Sequence, residues 1–136
     1  KQVNDTWGHL AGDDMLCTLA RQMQEAIEGQ AMACRFGGEE FMLMLPGSSI
    51  DDAVTLADGL RRRFEQASGM AGDQPMRATL SLGIASIPDH ASSAHELLLC
   101  ADRALYQAKL RGRNRVELAQ ACAGLTQVMG RDAASA

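Results

Sequence analysis

The sequence predicts an α/β fold in which helices cover a mostly antiparallel sheet, and three observations carry that expectation. Apolar residues recur at helical spacing in three separate segments, short apolar runs of strand length fall between them, and glycine or proline marks the changes of pattern. From Asp13 onward, Leu16, Leu19, Ala20, Met23 and Ile27 share a helical face, and Gly29 stands where that helix would stop. Met32-Ala-Cys-Arg-Phe36 and Phe41-Met-Leu-Met-Leu45 read as a β-hairpin with the four-residue tip Gly37-Gly38-Glu39-Glu40, closed by Pro46-Gly47. Ser49 is a candidate N-cap for a second amphipathic helix through Ala53, Ala57, Leu60 and Phe64, and Ser68-Gly69 and Gly72-Asp73 mark the loop after it. Met76 to Ile87, ending at Pro88, reads as one long buried strand in which Gly83 marks a bulge or a close backbone approach. Ser93-Ala-His-Glu96 has the capping-box pattern and opens a third helix through Leu97, Leu98, Ala101, Leu105 and Ala108, ending near Gly112. Arg115-Val-Glu-Leu118 is a short last strand.

A chain of 136 residues with 46% hydrophobic and 22% charged residues is sized and composed for one globular core, which excludes intrinsic disorder as its main state. Residues 1–119 form the expected domain, and residues 120–136, rich in Ala, Gly and Ser, read as a flexible tail. Lys1 to Gly12 reads as a loop leading into a helix with no strand ahead of it, so a first strand is expected to be missing from the chain. No apolar run approaches the roughly 20 residues that span a bilayer, and no leader opens at Lys1, so a soluble, cytoplasmic domain without direct membrane contact is expected. With 17 acidic against 13 basic residues the formal charge is −4, which disfavours nucleic acid as a partner and requires any phosphate to be met locally. Cys17, Cys34, Cys100 and Cys122 form no C-x-x-C pair, so neither a zinc site nor a disulfide framework is expected, and Cys34 and Cys100 read as small core hydrophobes. His9, His90 and His95 lack the spacing of a helical metal site.

The hairpin tip carries the chemistry. Glu39 and Glu40 put two carboxylates on a turn whose paired glycines, Gly37 and Gly38, let a ligand approach the backbone closely. Hard cations such as Mg²⁺ take one or two carboxylates together with substrate phosphates. On this segment alone a solvated polar turn is the alternative.

Phe36-Gly-Gly-Glu-Glu-Phe41 resembles the hallmark of the GGDEF family of diguanylate cyclases. Asn4-Asp5-x-x-Gly8-His9-x-x-Gly12-Asp13 resembles the family's second motif, and Ser81-x-Gly83-x-Ala85 its third. Asp102-x-Ala104-x-Tyr106-x-Ala108-Lys109-x-x-Gly112-Arg113-Asn114 resembles its fourth. The resemblance implies a palm-like nucleotidyl-cyclase sandwich whose first strand is central, and condensation of two GTP into cyclic di-GMP with release of pyrophosphate. It implies that Glu39 and Glu40 hold Mg²⁺, with Mn²⁺ as an alternative, and assist deprotonation of a ribose 3′-hydroxyl.

By the same resemblance Asn4 and Asp13 read guanine. A carboxylate at Asp13 can accept from both N1–H and the exocyclic amine, and the Asn4 amide can donate to O6 or N7. The bland alternative is that Asn4 closes a turn and Asp13 caps the first helix. Lys109 and Arg113 match the family's phosphate contacts, and their spacing is expected to place both on one helix face; the alternative is a solvated basic helix end. Arg35 beside the tip could assist or merely balance the carboxylates, and Trp7 occupies an aromatic slot of the second motif that suits packing over the rim of the guanine pocket or contact with the ligand. A symmetric product implies a homodimer, and an upstream sensory or receiver domain is implied as the source of control. The missing strand would supply a metal-binding aspartate, so the 136-residue chain by itself is expected to be inactive or weakly active. The family's inhibitory Arg-x-x-Asp product site is replaced here by Glu28-Gly-Gln-Ala31, which implies no tight product binding at that surface. A different class of function, a degenerate domain that binds GTP or a partner protein without turnover, is the main rival, and a cyclase of altered base choice is a third reading.

Overall fold

The structure is a computed structural model and describes residues 8–67, 69–71 and 74–121. Its elements are α1 (His9–Ala26), β1 (Met32–Gly37), β2 (Glu40–Met44), α2 (Ile50–Gln66), β3 (Gly69–Ala71), β4 (Gln74–Met76), β5 (Leu82–Ile84), α3 (Ala94–Leu110) and β6 (Val116–Leu118). The expected α/β order is present. Asn4, Trp7, Cys122 and nearly all of the expected tail lie outside the described residues.

The core forms where helical and strand periodicities meet. Ala11, Met15, Leu19 and Met23 recur every fourth residue along α1 and pack with Leu60 and Phe64 of α2 and with Met76. Ala33, Phe41 and Leu43 close this cluster from the hairpin, and Ala78 and Leu80 from the segment after β4. A smaller cluster, Cys100, Ala104 and Ala119 with Ala85, seals α3 against β5 and the end of β6.

Capping follows the sequence closely. The Ser49 hydroxyl accepts the Asp52 N–H at 3.1 Å, and the Ser93 hydroxyl accepts the Glu96 N–H at 3.2 Å. The return half of the expected capping box is displaced by one residue, because the Glu96 carboxylate accepts from the Ser92 N–H at 2.9 Å and the Ser92 hydroxyl at 2.6 Å. Those bonds hold the Glu96 carboxyl below its ordinary pKa.

Two expectations need correction, the long strand and the cysteines. The long strand from Met76 to Ile87 is two short strands, β4 and β5, because residues 77–81 have no ladder partner among the described residues even though Met76, Ala78 and Leu80 turn inward alternately as a strand would. The pairings form three two-stranded sheets: β1–β2 and β3–β4 are antiparallel, and β5–β6 is parallel. The cysteine reading also changes, since Cys100 is buried but disulfide-bonded and Cys34 is exposed. The Cys100 sulfur lies 3.3 Å from the His90 carbonyl oxygen, a contact rather than a hydrogen bond because a disulfide sulfur has no proton to donate. Sequence spacing carries no information on which thiols meet in space.

At Gly83, where the sequence left a bulge or a close backbone approach open, the structure has the close approach. A Cβ built there would stand 2.3 Å from the Leu105 nitrogen and 2.4 Å from the Ala101 oxygen, so only glycine lets β5 lie this close to the backbone of α3.

Candidate active site

The hairpin is built to present its tip. Strand pairing runs from Met32 with Met44 to Arg35 with Phe41, then skips Phe36 and closes on Gly37 with Glu40. The skipped residue is a β-bulge, a device that bends a strand and re-aims the side chains beyond it. Because Gly37 and Glu40 still pair, the turn is the two residues Gly38 and Glu39 rather than the expected four. Gly38 has φ 50°, a conformation strained for a residue with a side chain.

Arg35 has a more definite part than charge balance. Its Nε donates to the Gly38 carbonyl at 2.8 Å, and its Nη2 donates to the same oxygen. A planar guanidinium held this way fixes the turn's backbone, and with it the directions in which Glu39 and Glu40 leave the chain.

Lys109, in the last turn of α3, reaches the tip. Its Nζ lies 3.6 Å from Glu40 Oε1, and the two side chains are 44% and 50% exposed. An ion pair this open to water contributes about 0–1 kcal/mol to stability. It is therefore cheap to break, and its cation can turn to another anion that enters the site.

Asp13 lies exposed in the second turn of α1. Gly8, at φ 88° and without a side-chain bond, holds the N-cap, so the capping alternative for Asp13 is overturned. The expectation for Arg113 also fails. Helix α3 stops at Leu110 with Arg111 as its C-cap, so Arg113 is not on a helix face with Lys109. Arg113 and Asn114 instead have φ 61° and 47°. A left-handed conformation outside glycine costs on the order of 1–3 kcal/mol and persists only where surrounding bonds impose it. The Arg113 N–H donates to the Ala108 carbonyl at 2.9 Å, which is one such bond.

The others come from α2 and were not foreseen. Arg61 Nη1 donates to Asn114 Oδ1 at 3.0 Å, and Asn114 Nδ2 donates to Glu65 Oε1 at 2.7 Å. Arg61 is itself held by Asp58 Oδ1 at 2.9 Å and Glu65 Oε2 at 3.2 Å. Its bond to Asp58 is the first cause that keeps the Asp58 carboxyl below its ordinary pKa. The spacing of Asp58, Arg61 and Glu65 signals pairs within one helix, but nothing local points to Asn114.

The tip is chemically fit for a hard divalent ion. Glu39 and Glu40 are anionic oxygen donors on an exposed turn, and no group of three or more His, Cys, Asp or Glu gathers among the described residues. Such a pair can offer part of an oxygen shell, the share that Mg²⁺ takes from protein when substrate phosphates supply more.

The sequence model of one family, described as "Diguanylate cyclase, GGDEF domain", matches residues 1–115. Diguanylate cyclase A of Treponema denticola is 38% identical over 120 residues, which are 88% of this chain and 32% of that protein. Diguanylate cyclase DosC of Escherichia coli is 36% identical over 119 residues, 87% of this chain and 26% of that protein. The chain therefore spans about a third or less of the length of these relatives. Among solved structures, the GGDEF domain of PA1120 (YfiN or TpbB) from Pseudomonas aeruginosa superposes with a TM-score of 0.79 at 34% identity, covering 88% of this chain and 74% of that one. The GGDEF domain of DgcB from Caulobacter crescentus, in complex with c-di-GMP, gives 0.78 at 30% identity, over 86% and 70%. The active GGEEF domain of a diguanylate cyclase from Vibrio cholerae gives 0.75 at 31%, over 88% and 75%.

Proposed function

This chain belongs to the GGDEF family of diguanylate cyclase domains, and from that premise we propose that it binds GTP and, paired with a second copy, joins two GTP into cyclic di-GMP. The observation that carries the reading is the turn bearing Glu39 and Glu40 with the Lys109 ammonium 3.6 Å from Glu40, an acid pair and a cation placed for phosphate chemistry.

Each residue has a task set by its chemistry. Asp13 accepts the N1–H and amine protons of guanine, a pairing adenine cannot offer, and Asn4 would add a second base contact. Glu39 and Glu40 would hold Mg²⁺ or Mn²⁺. A divalent ion there supplies neutralisation of the triphosphate charge. A carboxylate of the pair assists removal of the proton from the 3′-hydroxyl of one GTP. That oxygen then bonds to the α-phosphorus of the other as the bond to pyrophosphate breaks. Two such steps release two pyrophosphates and close the ring. Lys109 moves from Glu40 to the phosphates, where Arg113 adds a second cation, and Gly37 and Gly38 leave room beside them. Two domains facing each other about a two-fold axis give the symmetric product. A sensory or receiver domain in the same protein would control that encounter, and the reaction would take place in the cytoplasm.

The test is to incubate the whole protein with GTP or ATP and Mg²⁺ and to look for cyclic dinucleotide by mass spectrometry, with Glu40→Gln alongside. Cyclic di-GMP from GTP alone, lost in the variant, is expected. GTP binding without turnover would replace the catalytic reading with a binding module, and a cyclic dinucleotide from ATP would overturn the base assignment.

A further inference from the structure

We propose that Arg61 and Glu65 of α2, acting through Asn114, are positioning residues that hold Arg113 where it meets the nucleotide's phosphates; this rests on the reading above in which Arg113 is a phosphate contact.

The chain passes from α3 to β6 through residues 111–115, and two consecutive members of that stretch, Arg113 and Asn114, are left-handed. Asparagine adopts this region more readily than other residues with a side chain, but arginine does not, so at Arg113 the conformation needs support from outside the turn. Three fastenings impose it. Behind, the Arg113 N–H is bound to the Ala108 carbonyl at 2.9 Å. Ahead, the Arg115 carbonyl accepts from Leu82 N–H at 2.9 Å, tying the stretch to β5. Beneath lies the α2 network, where the Asn114 amide gives a proton to Glu65 at 2.7 Å and takes one from Arg61 at 3.0 Å.

The network does what neither backbone bond can. An amide that must both donate and accept recognises a single orientation of its own plane, so fixing Asn114 fixes the peptide that precedes it and the direction in which the Arg113 side chain leaves. Arg61 is paired with Asp58 and Glu65; its own side chain is 16% exposed and that of Glu65 is 45% exposed, so the guanidinium is the shielded end of the network and the Glu65 carboxylate its wetter end. The partners are 53 and 49 residues apart in sequence, which makes this a tertiary device rather than a local turn preference. Lys109 stands on the helix whose end this turn continues, so α2 sets the separation of the two cations that the proposed chemistry uses.

The experiment measures GTP binding by calorimetry with Mg²⁺, steady-state kinetics and thermal melting in the whole protein. The variants are Arg113→Ala, Asn114→Gly and Glu65→Ala, with the double variant R113A/N114G. Glycine accepts the left-handed backbone without strain, so N114G removes the anchor while keeping the turn. Loss of a charge-assisted bond to phosphate is expected to weaken GTP binding about tenfold in R113A. N114G and E65A should raise Kd and KM about fivefold to tenfold with kcat within about twofold, and N114G should add nothing in the R113A background. Glu65→Gln, which keeps an acceptor for Asn114, should restore most of the affinity lost in E65A. Should N114G not fold, E65A carries the same comparison without touching the turn. If R113A weakens binding and N114G and E65A bind as the parent does, the positioning role is wrong. Additive losses in the double variant overturn it as well. If R113A itself binds GTP normally, the phosphate assignment of Arg113 is what fails, and the positioning role falls with it.

Discussion

Replacing Gly83 with alanine should loosen the joint between β5 and α3 and, through α3, the site. The new methyl carbon would sit 2.3 Å from the Leu105 nitrogen, 2.4 Å from the Ala101 oxygen and 2.9 Å from the Ala104 carbonyl carbon. Non-bonded heavy atoms settle at about 3.5–4.0 Å, so the shortfall exceeds about 1 Å against two of these atoms. All three belong to the helix backbone, which no rotamer change can move aside. Either α3 shifts by roughly that distance or β5 does, and overpacking of this kind costs about 1–3 kcal/mol and more where backbone must yield. Taking about 3 kcal/mol, at roughly 3–5 °C per kcal/mol for a chain of this size, melting should fall by about 10–15 °C. Lys109 rides on α3, so its 3.6 Å contact with Glu40 should open and GTP binding should weaken too. The control is Gly59→Ala. Gly59 is exposed within α2 and nothing lies within 4 Å of its Cβ position, so helix propensity alone should raise stability by about 0.8–1.0 kcal/mol. Melting followed by circular dichroism checks both variants. A G83A protein that melts within about 2 °C of the parent, on the same scale, would refute the close-approach argument.

Three further outcomes are expected. Asp13→Ala in the whole protein should reduce the preference for GTP over ATP by about 1–3 kcal/mol, the scale of a bidentate base contact, and an unchanged preference in competition binding would remove Asp13 from the base pocket. The Glu96 pKa is lowered in the fold, chiefly by the Ser92 hydroxyl and then by the Ser92 N–H, so its contribution is complete above the unfolded value, about 4.3, and is lost as pH falls through the lower folded value. The melting difference between the parent and Glu96→Ala should therefore hold steady from neutral pH down to about 4.3 and shrink below that as pH falls through the folded value; a difference that grows with acid contradicts the sign. The segment Glu28–Ala31 is a turn with Ala31 N–H on the Glu28 carbonyl at 3.2 Å and carries neither an arginine nor an aspartate, so calorimetry should find no tight binding of cyclic di-GMP there.

What the sequence determined by itself is what short-range chemistry encodes. Three helices with their Ser49 and Ser93 caps, and the hairpin, follow from periodicity and hydrogen-bonding side chains, whereas Gly83 was legible only as a bulge or a close approach until α3 was seen against it. The acid pair and the motifs that mark the family are likewise local strings. The tertiary structure decided everything that depends on which distant groups meet. Residues 77–81 alternate as a strand should, yet a ladder needs a partner that no local pattern supplies. Ideal helical spacing puts Lys109 and Arg113 on one face, but α3 ends at Leu110, and bonds from Arg61 and Glu65 on a different helix support the left-handed turn that carries Arg113 away. Lys109 meets Glu40 because β5 lets α3 pack where it does, not because of any spacing between them. Periodicity reports the face a residue turns inward; only packing and long-range hydrogen bonding choose what it meets there, because those energies belong to pairs that the chain brings together after its elements have formed.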